Sequence, residues 1–135
     1  VLIQGQRVEL CGVDDPKCGG SMWSDQLSAA AKAADPDCLA VLLSHRPERV
    51  EDYLAYDFDL VLSGHAHGGQ WRLPGLVNGL LAPDQGFFPA YAGGLYRLDE
   101  NTDLVVSRGL ARESTRVPRI FNPPELVIID VTPAE

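Results

Sequence analysis

The sequence predicts an α/β fold, a mixed sheet with flanking helices, and three observations carry that prediction. The continuous apolar run Leu39-Ala40-Val41-Leu42-Leu43 has the composition of a strand covered on both faces. A second run, Leu60-Val61-Leu62-Ser63, follows a segment of helical spacing, and strand–helix–strand order implies a parallel pair with a right-handed crossover. The Ala-rich stretch Asp25 to Ala34 places Leu27, Ala30, Ala31 and Ala34 on one face of a helix, stopped by Asp35-Pro36.

The remaining elements are read in chain order. Arg7 to Val13 alternates and is rich in branched residues, so it reads as a strand ending at the turn Asp14-Asp15-Pro16. Asp14-Asp15 reads as a turn by default, or as a cap on the neighbouring helix, and Lys17-Cys18-Gly19-Gly20 continues the loop. Pro47 suits the first turn of a helix with Glu48 near its positive end and Val50, Tyr53 and Leu54 as its buried stripe. From Ala66 to Ala92 periodicity fails and Gly, Pro and aromatics dominate; a loop this long is usually functional. Gly94 to Leu98 and Leu104 to Ser107 are short strand candidates, and Leu126 to Val131 reads as a closing strand. With 135 residues and no internal repeat, residues 1–135 form a single domain.

Composition narrows the function classes. The apolar share is 45% and the charged share 22%, which supports a buried core. Acidic residues outnumber basic ones 19 to 11, so the chain has no general attraction for nucleic acid or anionic membrane. Cys11, Cys18 and Cys38 form no CxxC pair. A Cys11–Cys18 disulfide would suit an exported protein, but the odd count favours free thiols, with Cys38 a small core residue. The start at Val1-Leu2-Ile3 reads as a cut through a larger protein or as a processing product, and localisation is open: cytoplasmic, or membrane-associated through a missing N-terminal segment.

All three histidines fall just past predicted strand ends. His45 follows one strand, and His65 and His67 follow the next. Ligands gather at the carboxyl ends of strands in open α/β sheets. Gly64 and Gly68-Gly69 let the backbone approach a ligand closely. Neutral imidazole suits zinc, manganese or iron, so the triad reads as a mononuclear site completed by water or as part of a two-metal site.

Leu43-Ser44-His45-Arg46-Pro47-Glu48, followed by Leu62-Ser63-Gly64-His65-Ala66-His67-Gly68-Gly69-Gln70, resembles the C-terminal motifs of calcineurin-like metallophosphoesterases. Ala82 to Pro89, Ser107 to Leu110 and Pro118 to Glu125 resemble one bacterial branch of that superfamily, which includes predicted phosphohydrolases and UDP-diacylglucosamine pyrophosphatases. The likeness runs from about Arg7 to Val131. It implies the C-terminal half of a four-layer αββα sandwich and two divalent ions (Mn, Fe or Zn), with His45 and His65 on one and His67 on the other. The ions would clamp a phosphate and activate a bridging hydroxide. The family's Asp-x-His and Gly-Asn-His segments have no counterpart here, since no His precedes His45, and Asp14-Asp15 has the wrong order and surroundings to stand in for the family's Gly-Asp. The resemblance therefore implies no catalytic residue in this chain: those are expected upstream of Val1, in a missing N-terminal half.

With those segments missing, the chain alone is expected to bind metal weakly, to hydrolyse little, and to self-associate through a face the other half would cover. The implied substrate is a phosphorylated small molecule or a lipid-linked one. Around it, Arg46, Gly68, Gly69, Gln70, Arg72 and Arg108 are candidate substrate-binding residues, arginine being suited to bidentate phosphate contacts. Phe87, Phe88 and Tyr91 either form an apolar lip or pin the long loop to the sheet, the second being favoured. The competing reading is a non-enzymatic metal-binding or scaffold module.

Overall fold

A computed structural model describes residues 1–3, 5–19, 22–111 and 117–132. Its main sheet has six strands in the order β1-β2-β3-β4-β8-β7. They are β1 (Leu2–Ile3), β2 (Gln6–Gly12), β3 (Leu39–Leu43), β4 (Leu60–Ser63), β7 (Gly94–Arg97) and β8 (Asp103–Val106). Strands β2, β3, β4 and β8 run parallel, while β1 and β7 are antiparallel edges, so the sheet is mixed. Short helices α1 (Pro16–Gly19), α2 (Met22–Ala33) and α3 (Val50–Tyr53) and a two-stranded ribbon of β5 (Leu81–Ala82) and β6 (Gly86–Phe87) complete the fold.

Register explains the core. Cys11, Leu42, Val61, Leu104 and Tyr96 lie side by side on one face, because each is paired with the next across the sheet. Helix α2 covers this face: Trp23 and Leu27 are buried in the same cluster as Leu42, Val61 and Leu104, with Ala30, Ala31 and Ala34 packed against it. Burying each such side chain is worth roughly 1.5–3 kcal/mol. The parallel pair of β3 and β4 and the bounds of both strands match the sequence reading.

The opposite face carries Leu10, Val41 and Leu60 in one row and Leu43, Leu62, Val105 and Leu95 in the next. Leu10, Leu43 and Leu95 are exposed. Here the predicted closing strand differs from what forms. Leu126 to Val131 makes no ladder. Val127, Ile128 and Ile129 instead border a cleft of about 750 Å³ with Leu60, Leu95 and Val105. Branched apolar residues supplied the strand signal, but the segment lies against the apolar residues of the sheet face and pairs with neither edge strand.

Smaller differences have local causes. The helix predicted from Pro47 is confined to Val50–Tyr53, because Pro47 is buried in the turn that precedes it, and Leu54 faces outward. Asp15 does cap: its carboxylate accepts the Lys17 amide at 2.8 Å and starts α1, which replaces the predicted loop. Gly20 of that loop lies outside the described residues. Cys38 is half-buried rather than a core residue, and the thiols of Cys11, Cys18 and Cys38 are all free.

Candidate metal centre

The ladder carries the chain directly to the histidines. Beyond β3 the Ser44 amide still donates to Leu62 O at 3.1 Å, and beyond β8 the Ser107 amide donates to Ser63 O at 2.8 Å. His45 and Gly64-His65 therefore leave adjacent parallel strands at the same edge. Tyr53 fixes the first exit: its buried hydroxyl donates to Arg46 O and lies 2.8 Å from the Ser44 hydroxyl. Burial pushes that phenol up to about 12.

The second exit is strained. His65 and His67 adopt φ of 62° and 49°, and Gln70 has φ 54°. Non-glycine residues at positive φ cluster where a surrounding structure holds a functional geometry. Two glycines make the turn passable. A Cβ on Gly68 would come 2.3 Å from Asn122 Oδ1, and one on Gly69 would come 2.4 Å from Gly79 Cα.

The rings of His45 and His65 converge, with centroids 4.5 Å apart and planes tilted by 58°. Burial holds the His45 imidazole below its ordinary range, with the His65 ring the next cause. Burial does the same for His67, reinforced by Arg119 and then by His65 and His45, so His67 lies within electrostatic reach of both rings. Neutral imidazole is the metal-binding form.

Two carboxylates that the sequence reading assigned no place in the site complete this flank. His65 Nε2 lies 2.8 Å from Asp84 Oδ2, and His45 Nε2 lies 3.6 Å from Asp15 Oδ2. Arg46 ties them together: its guanidinium is 2.8 Å from Asp15 Oδ1, hydrogen-bonds Asp84, and sits 3.2 Å from His65 Nε2. Lys17 Nζ adds a contact to Asp84 Oδ1 at 3.0 Å. Hydrogen bonds from His65 and Lys17 hold the Asp84 carboxyl well below the usual carboxylate range, and Arg46 does the same for Asp15. Asp84 and Arg46 both face His65 Nε2, so Nδ1 is the ring nitrogen left for a ligand, as in many carboxylate–histidine–metal arrangements. Asp84 gave one local signal, its turn sequence Pro83-Asp84-Gln85-Gly86 with φ 59°.

These residues fit a divalent ion. Two imidazoles whose ring centroids lie 4.5 Å apart can share one metal at the usual bond length of about 2.0–2.1 Å. The set is incomplete, however. Among the described residues, the one trio of ligand atoms within 4.8 Å of one another is Glu9, Asp35 and Cys38, on a distant surface. Arg7 pairs with both of those carboxylates.

The substrate-binding candidates divide. Arg46 is buried and committed to Asp15 and Asp84. Gly68, Gly69 and Gln70 are buried in the turn, with Gln70 O accepting from Ile120 N and Asn122 Nδ2, each at 3.1 Å. Arg72 bonds Asn78, and Arg108 pairs with Glu125. Of the aromatic trio, Tyr91 pins the loop against Tyr96 at 5.1 Å, whereas Phe87 and Phe88 are exposed and pin nothing.

Strand-end histidines, a glycine-relieved turn and imidazoles beside carboxylates make up this site, and comparison with known proteins gives the family: the chain belongs to the metallophosphoesterases. It is 31% identical over 128 residues to the uncharacterized metallophosphoesterase YkuE of Bacillus subtilis, covering 94% of this chain and 41% of that protein. It is 42% identical over 92 residues to an uncharacterized metallophosphoesterase of Campylobacter jejuni, covering 68% and 22%. Similarity to the UDP-2,3-diacylglucosamine pyrophosphatase LpxG of Chlamydia muridarum is 32% over 137 residues, covering 95% of this chain and 40% of that protein. The chain thus spans less than half the length of these relatives. No family model matches, and no solved structure matches.

Proposed function

We propose that this chain is the C-terminal part of a two-metal phosphoester or pyrophosphate hydrolase, in which His45 and His65 hold one divalent ion and His67 the other. The observation that carries the reading is the convergence of the His45 and His65 rings from two adjacent strand ends. Relatives named metallophosphoesterases and a pyrophosphatase support the reaction class. When bound, the two ions would polarise the phosphorus and supply a hydroxide nucleophile. The chain's own residues hold the rings: Asp84 orients His65, Arg46 neutralises Asp84 and Asp15, and Tyr53 fixes the turn carrying His45.

The remaining ligands and the catalytic groups would lie in the length of the relatives that this chain does not match. That segment would also cover the apolar sheet face of Leu10, Leu43 and Leu95 and complete a four-layer sandwich. Alone, the chain would bind metal weakly, hydrolyse little, and self-associate through that face. The substrate would be a phosphorylated small molecule or a lipid-linked one, and membrane association, if present, would come from sequence outside this chain. Among the described residues, no helix is long and apolar enough to cross a membrane.

The test is hydrolysis of an aryl phosphodiester with manganese by a longer polypeptide that includes N-terminal sequence of the kind the relatives carry. Activity that His67→Ala nearly abolishes supports the assignment. Full activity in that variant removes it.

A further inference from the structure

On the side of the turn away from Asp15 and Asp84, three arginines crowd one carboxylate. The Arg108 stem threads between two glycines: its Cδ lies 2.9 Å from where a Gly68 Cβ would be, and its Cγ lies 2.9 Å from where a Gly93 Cβ would be. Arg72 Nη1 is 3.2 Å from that same Gly93 position. Arg119 Nη2 donates to Arg108 O at 2.7 Å. Glu125 is the carboxylate that answers this group, and it is engaged by the Arg108 side chain and amide.

Several guanidinium nitrogens here are buried with no hydrogen-bond partner among the described residues: Arg72 Nη1, Arg119 Nε and Arg119 Nη1. A charged donor left unpaired out of water is costly, and proteins retain such groups where a ligand supplies the partner. Burial pulls both the Arg72 and Arg119 guanidiniums down, and in each case Arg108 is the next cause. Arginine nonetheless stays charged at neutral pH, so the like-charge repulsion persists until an anion enters. Arg108 packs against Gly68, the residue after His67, and Arg119 reaches Arg108 O, which places the group beside the proposed second metal ligand.

We propose that Arg72, Arg108 and Arg119 form an anion subsite next to His67 that takes a phosphoryl group of the substrate other than the one attacked. The role of that group in a substrate rests on the reading above; the anion subsite itself does not. Planar forks with free N–H groups match phosphate oxygens two at a time, which a lysine point charge would not. A substrate with two linked phosphoryl groups would then span the metal centre and the arginines.

The experiment is a titration of inorganic pyrophosphate into this chain with EDTA present, followed by calorimetry and by the arginine Nε–H resonances. Saturable binding is expected, with shifts confined to Arg72, Arg108 and Arg119 and absent at Arg7 and Arg97. Arg119→Gln should weaken it about 10-fold, Arg119→Lys less, and Arg97→Gln not at all. If Arg119→Gln fails to fold, the wild-type shift pattern decides. No saturation, or shifts spread equally over Arg7 and Arg97, overturns the subsite and leaves the metal reading standing, because EDTA removes any ion from the test. Displacement by a nucleoside monophosphate points to a soluble phosphoryl carrier, and displacement by short-chain phosphatidic acid to a lipid-borne one. Either upholds the proposal, and failure of both overturns it.

Discussion

On one flank of the His65–Gln70 turn, buried Arg46 and exposed Lys17 serve the carboxylates of Asp15, Asp84 and Glu48; on the other, three arginines surround one carboxylate. The first flank is rich in ion pairs. Arg46, Asp15 and Asp84 satisfy one another and fix the rings of His45 and His65. The second holds cationic donors that no described residue answers. The contrast teaches that residues of one type around one turn can do opposite work. Arg46 is structural support for ligands, and Arg119, which sequence reasoning passed over, has the unmet donors.

The largest expected effect is on the ion-paired flank. Arg46→Ala removes the cation shared by Asp15, Asp84 and Glu48, and Lys17 reaches Asp84 alone among them. Breaking a buried pair by removing one partner costs about 3–5 kcal/mol, with the low end expected here because Asp15 and Asp84 are partly exposed. Urea unfolding checks this, and a loss under about 1 kcal/mol would show that the network does not hold the turn.

A smaller effect is expected across the turn. Gly68→Ala forces a Cβ into Asn122 and the Arg108 stem at a positive φ, so Asn122 must release His67 O and Gln70 O. A loss of about 1–3 kcal/mol is expected. Pyrophosphate affinity should fall with it, while the His45–His65 ring contact in a nuclear Overhauser spectrum survives. Loss of both together would mean the flanks are not separable.

The smallest effect concerns pH. The Asp84 and Asp15 carboxyls are held below their unfolded range, so their contribution is present above the unfolded value of about 3.9 and is lost as pH falls through the lower folded values. Asp84→Asn should flatten the acid limb of a melting-temperature profile below about pH 4. An unchanged limb would place the acid sensitivity elsewhere.

Much of this was legible in the sequence. Runs such as Leu39–Leu43 and Leu60–Ser63 gave β3 and β4 because continuous apolar composition suffices for a central parallel strand, although Leu43 is exposed and not covered on both faces as the sequence suggested. The histidines were placed by their positions after those runs. Asp84 was not, since its role comes from His65, 19 residues away, and Lys17, 67 residues away. Nothing local encodes such contacts. Leu126 to Val131 shows the converse: its apolar, branched sequence signals a strand, but the segment borders a cleft on the sheet face instead of pairing with an edge. The charge imbalance around Arg108 was equally hidden, because it arises where Arg72, Gly93 and Pro118–Glu125 meet in space.

The central claim is that His45, His65 and His67 face a common ionic centre, and paramagnetic broadening by manganese tests it most directly. Substoichiometric Mn²⁺ added to the ¹⁵N-labelled chain at pH 7.5 should broaden the ring resonances of all three histidines together. This should occur before any effect on Glu9, Asp35 or Cys38, the other trio of ligand-type groups. Broadening at that surface cluster first, or at one histidine without the other two, would contradict the account.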